Sequence, residues 1–392
     1  MSLASCQMTR PRHIAFSCVL LLCFLVIFLT YYYTLENKFP GDDFSVYLKR
    51  GNHSCVYPVE AQTQGSNQNR SSEQHEEAPT DGPQKIQDVK VEAEPNTLLL
   101  IWMWPFNEKY DLTCDTVNYK GCRLTDDKSL YHEAHGVLFH HVNIDENLEN
   151  MPSEPRPWFQ KWVWLNLEPP PNCRKLPGLD NLFNVTSCYR LDSHIPVHYG
   201  FLEPHTSEVE SFQLPTKDKL VCWIVSNWHE GLKRVQYYNE LKEHIHIETY
   251  GKAFGKHVDD ESYASIVSSC KFYLSFENSQ HTDYITEKLF TPMKLGAVPV
   301  ALGTTRRNYE DQVPGDAFIH VDDFPTPKEL AERLLHLDQN TAEYMTFFDW
   351  KKRYRIQHFY HGTEHACKTC RYLQKNRRHH ACHSLTHWFW DT

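Results

Sequence analysis

No Asp-x-Asp pair occurs in the 392 residues of this chain. The simplest way for two carboxylates to hold a divalent cation on a nucleotide diphosphate is therefore missing. Only one Cys-x-x-Cys is present, Cys367-Lys-Thr-Cys370. Without a second such pair it reads as half a zinc site, a redox pair or, in an oxidising compartment, two structural half-cystines. Positive charge is also scarce: 40 basic against 50 acidic residues leave a formal charge of -10, which argues against a nucleic-acid partner while allowing a small anionic ligand. No internal repeat suggests a solenoid. The 24 histidines do not supply a metal site, because His140-His141 point to opposite faces of a strand and His379-His380 lie in a polar tail. The basic cluster Lys375, Arg377 and Arg378 reads as a solvated tail face.

Charge is absent again from Ile14 to Tyr33, where an unbroken apolar run has the length of a bilayer core. It is expected to be a transmembrane signal-anchor (14–33) behind a short cytoplasmic tail (1–13). Arg10 and Arg12 precede it, so the rest of the chain is expected on the lumenal side, as in a single-pass type II protein. Residues 34–95 are poor in apolar clusters and rich in Gln, Asn, Ser, Glu and Pro, the composition of a stem. The acceptor triplets at Asn52, Asn69 and Asn184 and ten cysteines beyond the span agree with a lumenal, oxidising address.

From Leu98 short apolar runs alternate with turn residues: LLLIWMW, GVLFHH near Gly136, and KWVWLNL over 161–167, the last stopped by the prolines after Glu168. After Pro215 strands and helices alternate more regularly. Strands are predicted at LVCWIVS, IHIETY, KFYLSF, AVPVAL and AFIHV, and helices near 232–244, 262–269, 286–295 and 327–337. The fold class is α/β, with two facing Rossmann-like domains at 96–214 and 215–350 and a tail at 351–392.

Open parallel sheets bind ligands beyond the carboxyl ends of their strands. In the first domain that rule selects Glu168, either a general base on a stiff Pro-bounded edge or a carboxylate that caps a turn. In the second it selects Ser226, Asn227, Glu277 and Asn278. Arg234 falls in the opening turns of a helix, where it either grips a diphosphate or lies on an exposed face. Thr286-Glu287-Lys288 starts another helix, so Lys288 is placed to neutralise a leaving phosphate, or else simply follows a Thr cap as an exposed lysine.

At FENSQHTDYITEKL, GAVPVALG, FIHVDDF, VCWIVSNW and LFNVTSCYRLDS the chain resembles the vertebrate α1,3-fucosyltransferases of the Lewis x-forming type, from Leu98 to its end. The resemblance implies a GT-B type fold in the Golgi membrane, with the first domain on the acceptor side, the second binding the nucleotide and the tail packing back on the first. It implies inverting, metal-independent transfer of L-fucose from GDP-fucose, with no cofactor, to the 3-hydroxyl of N-acetylglucosamine in lactosamine-bearing glycoproteins and glycolipids. It assigns Glu168 as base, and Tyr199, Ser226, Asn227, Arg234, Tyr273, Asn278, Tyr284, Glu287 and Lys288 to the donor site. It further implies disulfides Cys114–Cys367, Cys122–Cys370 and Cys222–Cys270, with Cys173–Cys188 as a local extra and Cys55 and Cys382 left over, either able to link two chains into a homodimer. Pro169, His194, His198 and Thr304-Thr305 depart from the family pattern, which leaves neutral and sialylated acceptors both open. The rival readings are another nucleotide-sugar transferase and a sugar-binding module without turnover.

Overall fold

The computed structural model describes residues 96–114, 119–206, 212–358, 362–378 and 380–391. The expected anchor, the stem, Asn52, Asn69 and Cys55 lie outside them. Among the described residues no helix is long and apolar enough to cross a membrane.

The first half forms β1 (Thr97–Ile101), β2 (Cys122–Thr125), β3 (Gly136–His140), β4 (Lys161–Asn166), β5 (Val185–Cys188) and β6 (Ile195–Pro196). They make one parallel sheet in the order β2-β1-β3-β4-β5-β6. Every residue of β1, β3, β4 and β5 is buried, as a sheet covered on both faces requires. Side chains alternate between the two faces. Leu98, Leu100, Val137, Phe139, Trp162 and Trp164 pack on one side, and Leu99, Ile101, Leu138, Val163 and Leu165 on the other.

The helices that cover this sheet come from the far end of the chain. Ala366, Cys367, Cys370 and Leu373 of a helix at Thr363–Lys375 complete one face. Leu385, Trp388 and Phe389 of a short helix at Leu385–Trp390 complete the other. Among its described residues the first half has only short 3-10 turns between its strands, so the tail supplies the helices on both faces of its sheet.

The second half forms β8 (Lys219–Ile224), β9 (Glu248–Tyr250), β10 (Cys270–Phe276), β11 (Val298–Leu302) and β12 (Ile319–His320), a parallel sheet in the order β12-β11-β10-β8-β9. Between them run α1 (Lys233–Leu241), α2 (Asp260–Ser269), α3 (Glu287–Leu295) and α4 (Arg306–Glu310), followed by α5 (Pro327–Gln339) and α6 (Thr341–Thr346). The tail helices then become α7 (Thr363–Lys375) and α8 (Leu385–Trp390). Local chemistry sets the boundaries. Thr326 and Glu329 form a capping box with Pro327 at the first helical position of α5, and Gly296 at φ 82° closes α3. The strands expected at IHIETY and AFIHV shrink to three and two residues, because Ile245, Ile247, Ala317 and Phe318 are buried as loop rather than as sheet. The halves are joined by β7 (Gly200–Pro204), which pairs antiparallel with β13 (Tyr354–His358) on the chain's return.

Disulfides Cys114–Cys367 and Cys122–Cys370 tie α7 to the first sheet, and Cys222–Cys270 links β8 to β10. Two cysteine expectations fail. Cys173 and Cys188 are free thiols: the Cys173 sulfur is taken up by the Pro169 carbonyl and the Asn166 amide, both at 3.4 Å, while Cys188 is fully buried. Burial pushes these thiols up to about 11 and about 12. Cys382 is itself disulfide-bonded and so is not available to link two chains. Asn184 is a third correction. It is 2% exposed, its Oδ1 accepts from Arg156 Nη1 and the Trp162 amide at 2.8 and 2.9 Å, and its Nδ2 donates to His380 O at 2.6 Å. That amide has neither the space nor the free nitrogen to carry a glycan.

Candidate active site

Glu168 follows β4 at the carboxyl end of the first sheet. The fully buried Asn166 clamps its backbone from both sides: Asn166 Oδ1 accepts from Glu168 N at 3.2 Å and Asn166 Nδ2 donates to Glu168 O at 3.0 Å. Pro169 and the turn Pro170–Asn172 fix the chain beyond it. The half-buried carboxylate accepts from Asn172 Nδ2 at 3.1 Å through Oε2, which leaves Oε1 without a bond from a described residue. Beside it Tyr199 donates its hydroxyl to Leu167 O at 2.6 Å.

The second sheet delivers the complementary charge. Ser226 and Asn227 are exposed in the loop after β8. α1 follows with Leu232 at its cap position and no side-chain cap; Val235 N donates to Leu232 O at 2.9 Å, and the N-H groups of Lys233 and Arg234 remain open to an anion. Arg234, 4% exposed, lies in that turn. Its Nη2 donates to Asn227 O and its Nη1 to Phe276 O. Burial lowers its proton affinity, opposed by the charge of Glu277. Arg234 Nε and Asn278 Oδ1 are buried polar atoms with no hydrogen-bond partner.

At the start of α3, Thr286 caps the helix and Lys288 folds back over it, its ammonium 3.0 Å from Thr286 Oγ1, 3.0 Å from Glu287 Oε1 and 3.5 Å from Glu277 Oε2. Glu277, 2% exposed, accepts from Thr286 N at 2.8 Å and from Thr286 Oγ1 at 2.9 Å. Burial raises Glu277 above the ordinary carboxylate value, opposed by Lys288. Burial alone would lower Lys288, but Glu277 and Glu287 outweigh it and hold the ammonium above the usual lysine value. Burial would likewise raise Glu287, and Lys288 pulls it below instead.

Two tyrosines connect the halves. Burial raises Tyr199 and Tyr284, and both feel the carboxylates of Glu168, Glu277 and Glu287. Their rings stand edge to face at 6.1 Å, and Tyr284 also meets Tyr189 at 5.1 Å. Arg234 in turn feels Tyr284, and Lys288 feels Arg234. Glu168 from the front half and Arg234, Tyr284, Glu287 and Lys288 from the back half thus share one electrostatic neighbourhood.

Tyr273 stands apart. It is 2% exposed within a cluster that includes Tyr263 and its hydroxyl bonds to Tyr263, so it is a core side chain rather than one open to a ligand. The structure adds groups that sequence reasoning missed. Asn166 holds the Glu168 backbone and Asn172 its carboxylate. Asp283, at φ 65°, accepts from Leu191 N at 3.0 Å and Asn308 Nδ2 at 2.7 Å, a buried tie between the two halves. A non-glycine residue at positive φ in the FENSQHTDYITEKL loop leaves no pattern to read, and neither do partners 25 and 92 residues away.

Among the described residues no three His, Cys, Asp or Glu side chains gather to hold a metal ion. His140 bonds to Asn143, and His141 to Arg174 O and Trp164.

Two family descriptions match the chain: "Fucosyltransferase, N-terminal" over residues 94–200 and "Glycosyltransferase family 10 (fucosyltransferase) C-term" over residues 214–388. The 4-galactosyl-N-acetylglucosaminide 3-alpha-L-fucosyltransferase 9 of Rattus norvegicus is 48% identical over 304 residues, 77% of this chain and 84% of that protein. Its Homo sapiens counterpart is 47% identical over 305 residues, 77% of this chain and 85% of that protein. A solved α1,3-fucosyltransferase with GDP is 14% identical, with a TM-score of 0.49, over 75% of this chain and 94% of its own.

Proposed function

As a member of glycosyltransferase family 10, the fucosyltransferases, the chain carries out glycosyl transfer, and we infer that it moves L-fucose from GDP-β-L-fucose to the 3-hydroxyl of N-acetylglucosamine in Galβ1-4GlcNAc units. The observation that carries this reading is the shared neighbourhood of one carboxylate, Glu168, and the cationic pair Arg234 and Lys288 across Tyr199 and Tyr284.

The donor diphosphate lies against the open first turn of α1, between Arg234 and Lys288. Before it arrives, Lys288 is neutralised by Glu277 and Glu287. The phosphates supply the charge that the pocket's cations are set to receive. Asn278 Oδ1 and Arg234 Nε, both buried and unpartnered, gain partners from the nucleotide, and half-exposed Glu287 is placed for ribose hydroxyls.

The acceptor hydroxyl approaches from the first half. Glu168 takes its proton as the acceptor oxygen bonds to the anomeric carbon of fucose and the bond from that carbon to the GDP oxygen breaks. Arg234 and Lys288 hold the charge that develops on departing GDP. Attack from the face opposite the leaving group turns the β-linked donor into an α-linked product.

We read the two parallel sheets as the facing Rossmann-like halves of a GT-B type enzyme and place the chain in the Golgi membrane with its catalytic part lumenal. The uncharged run at 14–33 behind Arg10 and Arg12 and the oxidised cysteines support that address. Replacing Glu168→Gln tests the mechanism: kcat is expected to fall by about a thousandfold while GDP affinity stays within about twofold. Transfer retained above about a tenth of the parent rate removes Glu168 as the base.

A further inference from the structure

The basic cluster Lys375, Arg377 and Arg378 is exposed to solvent, as the sequence led us to expect, but it also borders two cavities. It lies beside the amino ends of the first sheet's strands, opposite the end that carries Glu168 and roughly 23 Å from it along the extended chain from Lys161. A cavity of about 390 Å³ there is lined by Glu133, His135, Trp158, Phe159, Lys161 and Arg377. A neighbouring one of about 640 Å³ includes His194, Lys375, Arg378 and again Arg377.

Lys161 decides how this groove is read. It is the first residue of β4 and only 4% exposed, yet its ammonium donates to Asn376 O and makes no ion pair with any described carboxylate. Arg377 donates Nη2 to Thr97 Oγ1 at 2.7 Å; neither it, Lys375 nor Arg378 pairs with a described acid, and the exposed Glu133 pairs with none of them. Burial and the charge of Arg377 both depress Lys161. A buried ammonium without a counter-charge is costly, and three further cations converge on the same space. The aromatic Trp158, 88% exposed, and Phe159, 39% exposed, stand at the rim.

We propose that this groove is a second, non-catalytic site for an anionic oligosaccharide: a sulfate or carboxylate binds to Lys161 and Arg377, and the sugar ring that bears it stacks on Trp158. The guanidinium fork of Arg377 matches the paired oxygens of either group, and an amphipathic indole suits the C-H face of a sugar. Both cavities fall in the roughly 300–1,000 Å³ range of small-ligand sites. The cation at the floor is buried, so a flat bilayer surface cannot reach it, which favours a glycan over a lipid headgroup. The proposal does not depend on fucosyl transfer.

The test titrates the full chain in detergent with a heparin-derived hexasaccharide and with its desulfated counterpart. The sulfated form is expected to bind and the desulfated form not. Arg377→Gln with Arg378→Gln is expected to raise Kd at least tenfold and Trp158→Ala about fivefold, with kcat/KM toward a neutral lactosamine acceptor unchanged. Lys161→Met places an apolar chain in a buried position, so it is expected to keep the fold and lose the binding. Equal affinity for both saccharides, or full affinity in Lys161→Met or in the double arginine variant, overturns the proposal. So does a preference for phosphatidylserine over phosphatidylcholine vesicles that the hexasaccharide fails to displace.

Discussion

Lys288→Met removes one partner of a buried pair, and the structure says what that costs. The Lys288 ammonium and Glu277 carboxylate are 3.5 Å apart, with the two side chains 27% and 1% exposed. At an effective dielectric near 20 their attraction is about 5 kcal/mol, and solvent screening on the lysine side reduces it. What remains in the variant is a buried carboxylate held only by Thr286 N and Oγ1. A loss of about 3 kcal/mol is expected, read as a fall of roughly 6–10 °C in Tm. Burial already raises Glu277, and Lys288 opposes that rise, so the variant's Glu277 binds its proton more readily. A carboxyl raised in the folded state lends stability at low pH and loses it as pH climbs through its folded value. The deficit is therefore smaller at pH 5 than at pH 8. Adding Glu277→Gln removes the stranded charge, and Tm is expected to recover most of its loss. Transfer is not, because the charge on the departing diphosphate is still missing, and kcat/KM stays down by about a hundredfold or more. Thermal unfolding and a GDP-release assay on the two single variants and the double variant check this. Strictly additive stability losses would show that the pair is uncoupled, and near-parental kcat/KM in Lys288→Met would end its role at the leaving group.

Arg234→Lys keeps the charge but loses the planar fork that spans Asn227 O and Phe276 O; KM for GDP-fucose is expected to rise about tenfold or more, measured by initial rates. The neutral His141 ring uses both nitrogens, Nε2–H to Arg174 O at 2.9 Å and Nδ1 as acceptor from Trp164 at 3.2 Å, and burial lowers it from 6.5 to about 4. Its folded value is depressed, so its contribution is fully present above pH 6.5 and is lost as pH falls toward 4, amounting to about 3 kcal/mol at the acid end. His141→Gln is expected to flatten that part of a Tm-against-pH curve. Transfer by the purified chain in EDTA is expected to match the rate in manganese; full dependence on the metal would refute a leaving group stabilised by Arg234 and Lys288 alone.

Much of the second half is legible in the sequence because its signals are local. Apolar runs of strand length alternate with capped helices, and Ser226, Asn227, Glu277 and Asn278 lie at strand ends and Lys288 at a helix start, as the sequence placed them. The first half resists the same reading. Its sheet is covered by α7 and α8, whose apolar positions contact strands some 200 residues earlier in the chain, and no window of sequence connects Leu373 to Leu99 or Trp388 to Trp164. The basic cluster of the tail is exposed as expected, but what lies beside it was hidden for the same reason. Its sequence neighbours are polar, but its spatial neighbours are Lys161 and Trp158. Asn184 matches a glycosylation triplet, yet burial and its hydrogen bonds decide otherwise, and those are set by Arg156, Trp162 and His380.

The separation of Glu168 from Lys288, the base and leaving-group cation we propose, depends on one dipeptide. Tyr199 grips Leu167 O, one residue from Glu168, and Gly200 begins the strand that carries the chain from the first half toward the second. A Cβ on Gly200 would lie 2.5 Å from Phe290 Cγ, so β7 rests directly on α3, two residues beyond Lys288. A side chain there would push β7 away from α3 and move Tyr199 with it. The Tyr199 hydroxyl would then either release Leu167 or drag the Glu168 loop along. The returning strand β13 pairs with β7 from Gly200 to Pro204 and stiffens the same connection, while Asp283 fastens the loop before α3 to Leu191 of the first half. Four contacts of three kinds (hydrogen bond, steric fit and strand pairing) therefore set one separation. That is the arrangement expected where a proton acceptor and a departing diphosphate must be held on opposite sides of a single carbon.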